Sequence, residues 1–294
     1  MMSPFERLPA RQAEVGGIPV ARLLPVRQRR LIGAWCFLDH AGPAQFAAGE
    51  PGLRVGPHPH IGLQTFTWML KGRVLHRDSL GHEQVIQPGQ VNLMTAGHGI
   101  AHSEESVAGE RVLHAAQLWI ALPEADRHTP PRFDHYPRLP MWSQQGVCFT
   151  LLAGDYAGHK APTLLFSPLV GLDLHARQAA TLTLPLRPEF EYGLLALEEN
   201  MDVAGERVGP DELVYLGAAR DRLELTLEAG ARALLLGGEP LEERIYIWWN
   251  LVGHSEAEIA EALADWQAGS QRFGTVTGYN GEPMTAPPLP AGLK

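Results

Sequence analysis

Cysteine is nearly missing from this chain: Cys36 and Cys148 are the only two in 294 residues. That excludes a disulfide-stapled scaffold and a cysteine-rich zinc module. Both lie between apolar neighbours, Trp35-Cys36-Phe37 and Val147-Cys148-Phe149, and read as reduced core residues. Positive charge is also scarce. The 24 Lys and Arg stand against 33 Asp and Glu, a net charge of −9, with no long run of one sign. This argues against direct nucleic-acid binding through a basic surface, but not against a protein partner. No apolar run approaches the roughly 20 residues of a membrane span, and Met1–Arg11 carries no apolar signal-peptide core. The expectation is a cytoplasmic protein that stays off the membrane. Gly-x-Ser-x-Gly, a Walker A loop and a strand–helix Gly-x-Gly-x-x-Gly are all missing, which removes the commonest hydrolase and nucleotide-binding readings.

What the chain has is turns. It contains 24 Pro and 31 Gly, and 45% of its residues are hydrophobic. This composition favours many short strands around real cores over long helices. Candidate strands in the first half are Gln64–Leu70, Arg73–Asp78, Glu83–Gln87, Gln90–Met94 and His114–Leu122. In the second half they are Cys148–Ala153, Ala180–Leu184, Glu191–Leu197, Glu212–Leu216, Arg222–Leu227 and Ala231–Leu236. The polar, proline-bearing stretch Pro130–Gly146 reads as the connection between two domains. The expected division is residues 1–135 and residues 145–294. Near the end, Ser255-x-x-Glu258 is a capping box, and Ile259, Leu263 and Trp266 recur at helical spacing up to Gly269. This is expected to be a packing helix of the second domain, with a loose tail from Pro283 to Lys294.

The chemistry is concentrated in Gly56-Pro57-His58-Pro59-His60 and Gly97-His98-Gly99-Ile100-Ala101-His102-Ser103-Glu104. Side chains alternate across a strand, so His58 and His60 share a face, as do His102 and Glu104. Two paired strands delivering these four groups would make a mononuclear metal site. Three imidazoles and a carboxylate suit Fe, Mn, Co, Ni, Cu or Zn and leave octahedral positions open for water, substrate or dioxygen. His98 is near enough to support such a site but reads as a loop residue. His76, His82, His114, His128, His135, His159 and His175 have no paired ligand in sequence. Asp39-His40 fits either a turn or a neighbour of the pocket.

At these residues the chain resembles the pirin family of the cupin superfamily. The matching text is Gly56–Gly62, Gly72–His76, Asp78-Ser79-x-Gly81, Pro88-Gly89 and Met94–Glu104. Trp35–His40 is similar to the family's N-terminal stretch. Gly237-Gly238-Glu239-Pro240-Leu241-x-Glu243 and Arg272-Phe273-Gly274 resemble its C-terminal signatures. The resemblance implies an all-β fold of two cupin, or jelly-roll, β-barrels with a short C-terminal helix. It places the metal in the N-terminal barrel and leaves the second barrel without one. It implies His58, His60, His102 and Glu104 as ligands of one divalent ion, iron(II) by family habit. General cupins carry a glutamate soon after His-x-His. Here Gln64 and Thr65 occupy that region, so Glu104 supplies the carboxylate, as in pirins. The implied activity is that of a quercetin 2,3-dioxygenase, opening the ring of a flavonol or related enolisable polyphenol with dioxygen, with Glu104 as general base. The alternative is a redox-sensing regulatory protein of the transcription-cofactor type. Ile245-Tyr246-Ile247-Trp248-Trp249-Asn250 is more aromatic than the family pattern.

Overall fold

The computed structural model describes residues 5–290 and residue 292. Among these residues it contains 25 strands and one helix, so the chain is all-β. No helix among them is long and apolar enough to cross a membrane.

The chain forms two compact units that interleave in sequence. Among the described residues, one gathers 5–12, 21–40 and 138–241; the other gathers 13–20, 41–137 and the residues from 242 on. The chain therefore changes unit inside the continuous strands Ile18–Leu24 and Trp35–Gln45. Two segments join units distant from them in sequence. The N-terminal strand Glu6–Pro9 pairs with Glu212–Gly217 in the late unit. The segment from Glu242 onward, helix included, belongs with the histidine-bearing unit.

The unit that ends with residue 241 is built on an antiparallel sheet whose central neighbours are Glu191–Glu198, Arg232–Gly238, Leu169–Ala176 and Val147–Tyr156. A second sheet runs Ala180–Pro185, Arg222–Leu227, Met201–Val203, Glu206–Val208. Leu223, Leu225 and Leu227 alternate inward into a core with Leu172, Leu174 and Leu194, the period-2 pattern that specifies register.

The histidine-bearing unit also has two antiparallel faces. One orders Arg132–Tyr136, Val91–Thr95, Leu63–Lys71 and Val112–Ala121 side by side. The other orders Arg54–His60, Ile100–Ser106, Val74–Asp78 and Glu83–Ile86. The supposed linker Pro130–Gly146 holds two strands, Arg132–Tyr136 and Met141–Gln144, each at the end of its sheet order. Pro131, Pro137 and Pro140 flank these strands, and an edge strand tolerates flanking prolines that have no N–H to give the ladder.

The helix (α1, Glu256–Gln267) starts where the capping box sets it. Ser255 Oγ accepts a hydrogen bond from Glu258 N. Glu258 reaches back to His254 N at 2.8 Å, one residue earlier than the standard box. Its buried Ile259, Ala262 and Leu263 pack with Leu251 and Phe273 onto Ile61 and Ala101. Burial of an Ile or Leu side chain is worth about 1.5–3 kcal/mol. The helix thus covers apolar residues that sit immediately beside His60 and His102, which is why it folds with this unit.

A candidate metal centre on the face of one sheet

The strand Arg54–His60 is the outer strand of its sheet, so Pro57 and Pro59 fit where few ladder donors are needed. It pairs with Ile100–Ser106 so that His58 lies opposite His102 and His60 opposite Ile100. The turns beside the histidines are closed by glycines. Gly62 N donates to Gly97 O at 2.9 Å. Gly97 has φ +52°, and a Cβ there would lie 1.8 Å from Thr129 O.

Register then gathers three rings. The centroids of His58, His60 and His102 are 4.4 to 5.0 Å apart, and all three residues are buried. Their candidate ligand atoms lie within 4.8 Å of one another. His58 donates Nδ1–H to Gly56 O at 2.9 Å, and His60 donates Nδ1–H to Asn250 O at 2.8 Å. Each Nε2 is thereby left with its lone pair. His60 Nε2 and His102 Nε2 are 3.0 Å apart. Burial pushes His58 down to about 4. Burial first, and neighbouring imidazoles second, hold His60 and His102 well below the ordinary histidine range. Neutral imidazoles with converging lone pairs are what a borderline divalent cation takes. The donor set fits a metal ion.

Glu104 follows His102 by two residues, across a bulge in the pairing with Arg54–His60. It lies opposite His76 on Val74–Asp78. The ligand atoms of His76, His102 and Glu104 form a second group within 4.8 Å, sharing His102 with the first. Burial alone pushes Glu104 up to about 7. Of the four residues expected as ligands, His58, His60 and His102 fall in one group, and Glu104 falls in a second group with His76 that shares only His102 with the first.

The facing sheet presents its side chains in rows, since cross-strand partners share a face. Trp119, Thr65, Met94 and Phe133 form one row across four strands. Trp119 meets His60 edge-on at 5.4 Å, and Phe133 stacks on His76 at 4.3 Å, so this row looks at the histidines. Gln117, Thr67, Asn92 and His135 form the next row. There Thr67 Oγ1 donates to Gln117 Oε1 at 2.8 Å, and His135 Nδ1–H donates to Asn92 Oδ1 at 2.7 Å. Met69 and Ala115 follow, with Val74 and Ile86, as an apolar floor.

Sequence reasoning passed over His76 and His135. The available signal was alternation: His76 and Asp78 share a face, as do Phe133 and His135. His98 is exposed, and its carbonyl accepts from Arg272 Nε at 2.8 Å. Asp39 is held by Arg22 at 2.7 and 2.8 Å, and His40 by Asp211 at 2.6 Å, all in the other unit.

A family model described as Pirin matches residues 17–120, and one described as Pirin C-terminal cupin domain matches 171–274. The chain belongs to the pirin family. A Pseudomonas aeruginosa protein, provisionally named a quercetin 2,3-dioxygenase, is 62% identical over 97% of this chain and 91% of its own length. A Caulobacter vibrioides protein named pirin-like is 36% identical over 90% of this chain and 93% of its own. The crystal structure of a quercetin 2,3-dioxygenase from Acinetobacter baumannii, 49% identical, superposes with a TM-score of 0.96 over 99% of this chain and 97% of that one. The fold is accordingly the pirin arrangement of two cupin barrels.

Proposed function

We propose that this pirin is a metal-dependent dioxygenase that opens the ring of a flavonol or a related enolisable polyphenol, with one divalent ion held by His58, His60, His102 and Glu104. The observation that carries the reading is the convergence of three buried, neutral imidazoles, two with Nδ1–H tied to a backbone carbonyl. The strong likeness to proteins named quercetin 2,3-dioxygenase supports the substrate class. Iron(II) is the proposed ion, and the same donors suit Mn, Co, Ni, Cu and Zn.

Bound there, such an ion would act as a Lewis acid that acidifies a substrate hydroxyl and offers open coordination positions. The chain's own residues supply the rest. Glu104, the carboxylate grouped with His102, accepts the hydroxyl proton. Trp119 and Phe133 give flat apolar surface for an aromatic ring. Gln117, Asn92 and His135 give hydrogen-bond partners for peripheral hydroxyls. Burial of this face keeps bulk water from the reacting ring.

Oxygen consumption with quercetin, on protein of determined metal content, tests the reading beside a His58→Ala/His60→Ala control. Metal-dependent uptake absent from the control is expected. Bound metal with no uptake would overturn the dioxygenase reading and favour a regulatory role with a protein partner.

A further inference from the structure

We infer that His76 and Asp78 form a hydrogen-bond relay that fixes the tautomer of His102 and so presents its Nε2 to the metal. The inference rests on the metal reading above.

The strand Val74–Asp78 pairs with Ile100–Ser106 so that Asp78 lies opposite His102 and His76 opposite Glu104. Asp78 Oδ1 accepts from Leu80 N at 2.9 Å and His82 N at 3.1 Å. Its Oδ2 lies 3.0 Å from His82 Nδ1 and 3.2 Å from His76 Nε2. With two backbone N–H groups donating to Oδ1, the ionised carboxylate is an acceptor only.

The proton order follows by elimination. His76 must carry its proton on Nε2 to satisfy Asp78. A neutral imidazole carries only that one proton. Its Nδ1 is therefore bare, and it lies 3.3 Å from His102 Nδ1. His102 must then carry its proton on Nδ1, which leaves Nε2 bare toward His60. Stacking on Phe133 at 4.3 Å and 11° keeps the His76 ring in this plane. Each of the three imidazoles thus spends its Nδ1–H on a different acceptor: Gly56 O, Asn250 O and His76 Nδ1. Only the third acceptor is a side chain, so only His102 has a ligand geometry that substitution can reverse.

Asp78→Asn is the informative variant. The two backbone donors hold the amide oxygen in the Oδ1 position, so its NH2 faces His76 Nε2. The His76 proton must then move to Nδ1, and the His102 proton to Nε2, which removes the lone pair offered to the metal. His76→Phe keeps the stack and removes the acceptor. We expect each variant to weaken cobalt(II) binding, measured by chelator competition, by about 10- to 100-fold. The double variant should lose no more than either single, because both act through His102. Should either variant fail to fold, long-range proton–nitrogen NMR on the zinc-loaded parent reads the same point. It should show His102 protonated at Nδ1 and His76 at Nε2.

Asp78→Asn binding cobalt as the parent does, or His102 ligating zinc through Nδ1, overturns the relay. Two ions per chain, with one lost in His76→Phe, would make His76 a ligand and overturn it as well. A parent that takes up no cobalt overturns the metal reading itself, before any variant is compared.

Discussion

His60 Nε2 and His102 Nε2 stand 3.0 Å apart in a place where both residues are buried. Two lone pairs at that separation repel unless a proton or a cation lies between them. A cation relieves the repulsion for all three rings together. Addition of a divalent metal should therefore raise the melting temperature of the metal-free protein. At 100 times the dissociation constant the gain is about 2.7 kcal/mol. His58→Ala/His60→Ala should show no metal-dependent shift in calorimetry, and a full shift in that variant would remove these residues from the site.

Glu104 should carry a pH signature in the metal-free protein. Its folded carboxyl titrates at about 7 against an ordinary 4.5. The folded state binds that proton more tightly, so its contribution is complete below 4.5 and is lost as pH rises through 7. Metal-free Glu104→Gln should thus be more stable than the parent at pH 8, by up to about 3 kcal/mol, with the gap closing toward pH 4.5. His58 has the opposite sign: lowered to about 4, it contributes above the ordinary 6.5 and is lost as pH falls through 4. It is common to both proteins and cancels in the difference. Urea melts at several pH values measure the gap, and a constant gap would contradict this account.

Gly97→Ala should damage fold and site together. The added Cβ meets Thr129 O at 1.8 Å with φ at +52°. A loss of about 2–4 kcal/mol is expected, because the backbone itself must move. Metal affinity should fall as well, since the Gly62–Gly97 hydrogen bond links the turns next to His60 and His102. Parent-like affinity in a destabilised variant would separate the two effects.

The helix gives a graded pair. Ser255→Ala removes a cap worth about 1 kcal/mol. Ile259→Ala opens a fully buried position and should cost about 2–5 kcal/mol. Because Ile259 packs with Ile61 and Ala101, only the second variant should also weaken metal binding.

Much of this was legible in the sequence for a simple reason. His58-x-His60 and His102-x-Glu104 use alternation along single strands, which is a local property. The turn glycines and the capping box at Ser255 are local too. What escaped depends on pairing between distant strands. Nothing near His76 in the chain indicates that it meets His102 and Phe133. Likewise the row from Gln117 to His135 exists only once four strands are aligned. Pro130–Gly146 read as a linker because its prolines outweighed two edge strands with weak alternation. Ile18–Leu24 and Trp35–Gln45 are single strands along which the chain passes from one unit to the other, which composition does not mark.

One feature bears on biosynthesis. The carbonyl that holds His60 Nδ1–H belongs to Asn250, 190 residues further along the chain. A growing chain that has emerged only to residue 120 already contains His58, His60, His102 and Glu104, but His60 is still free to present either nitrogen. His60 would therefore be held in the tautomer of the folded site only after Asn250 has been made.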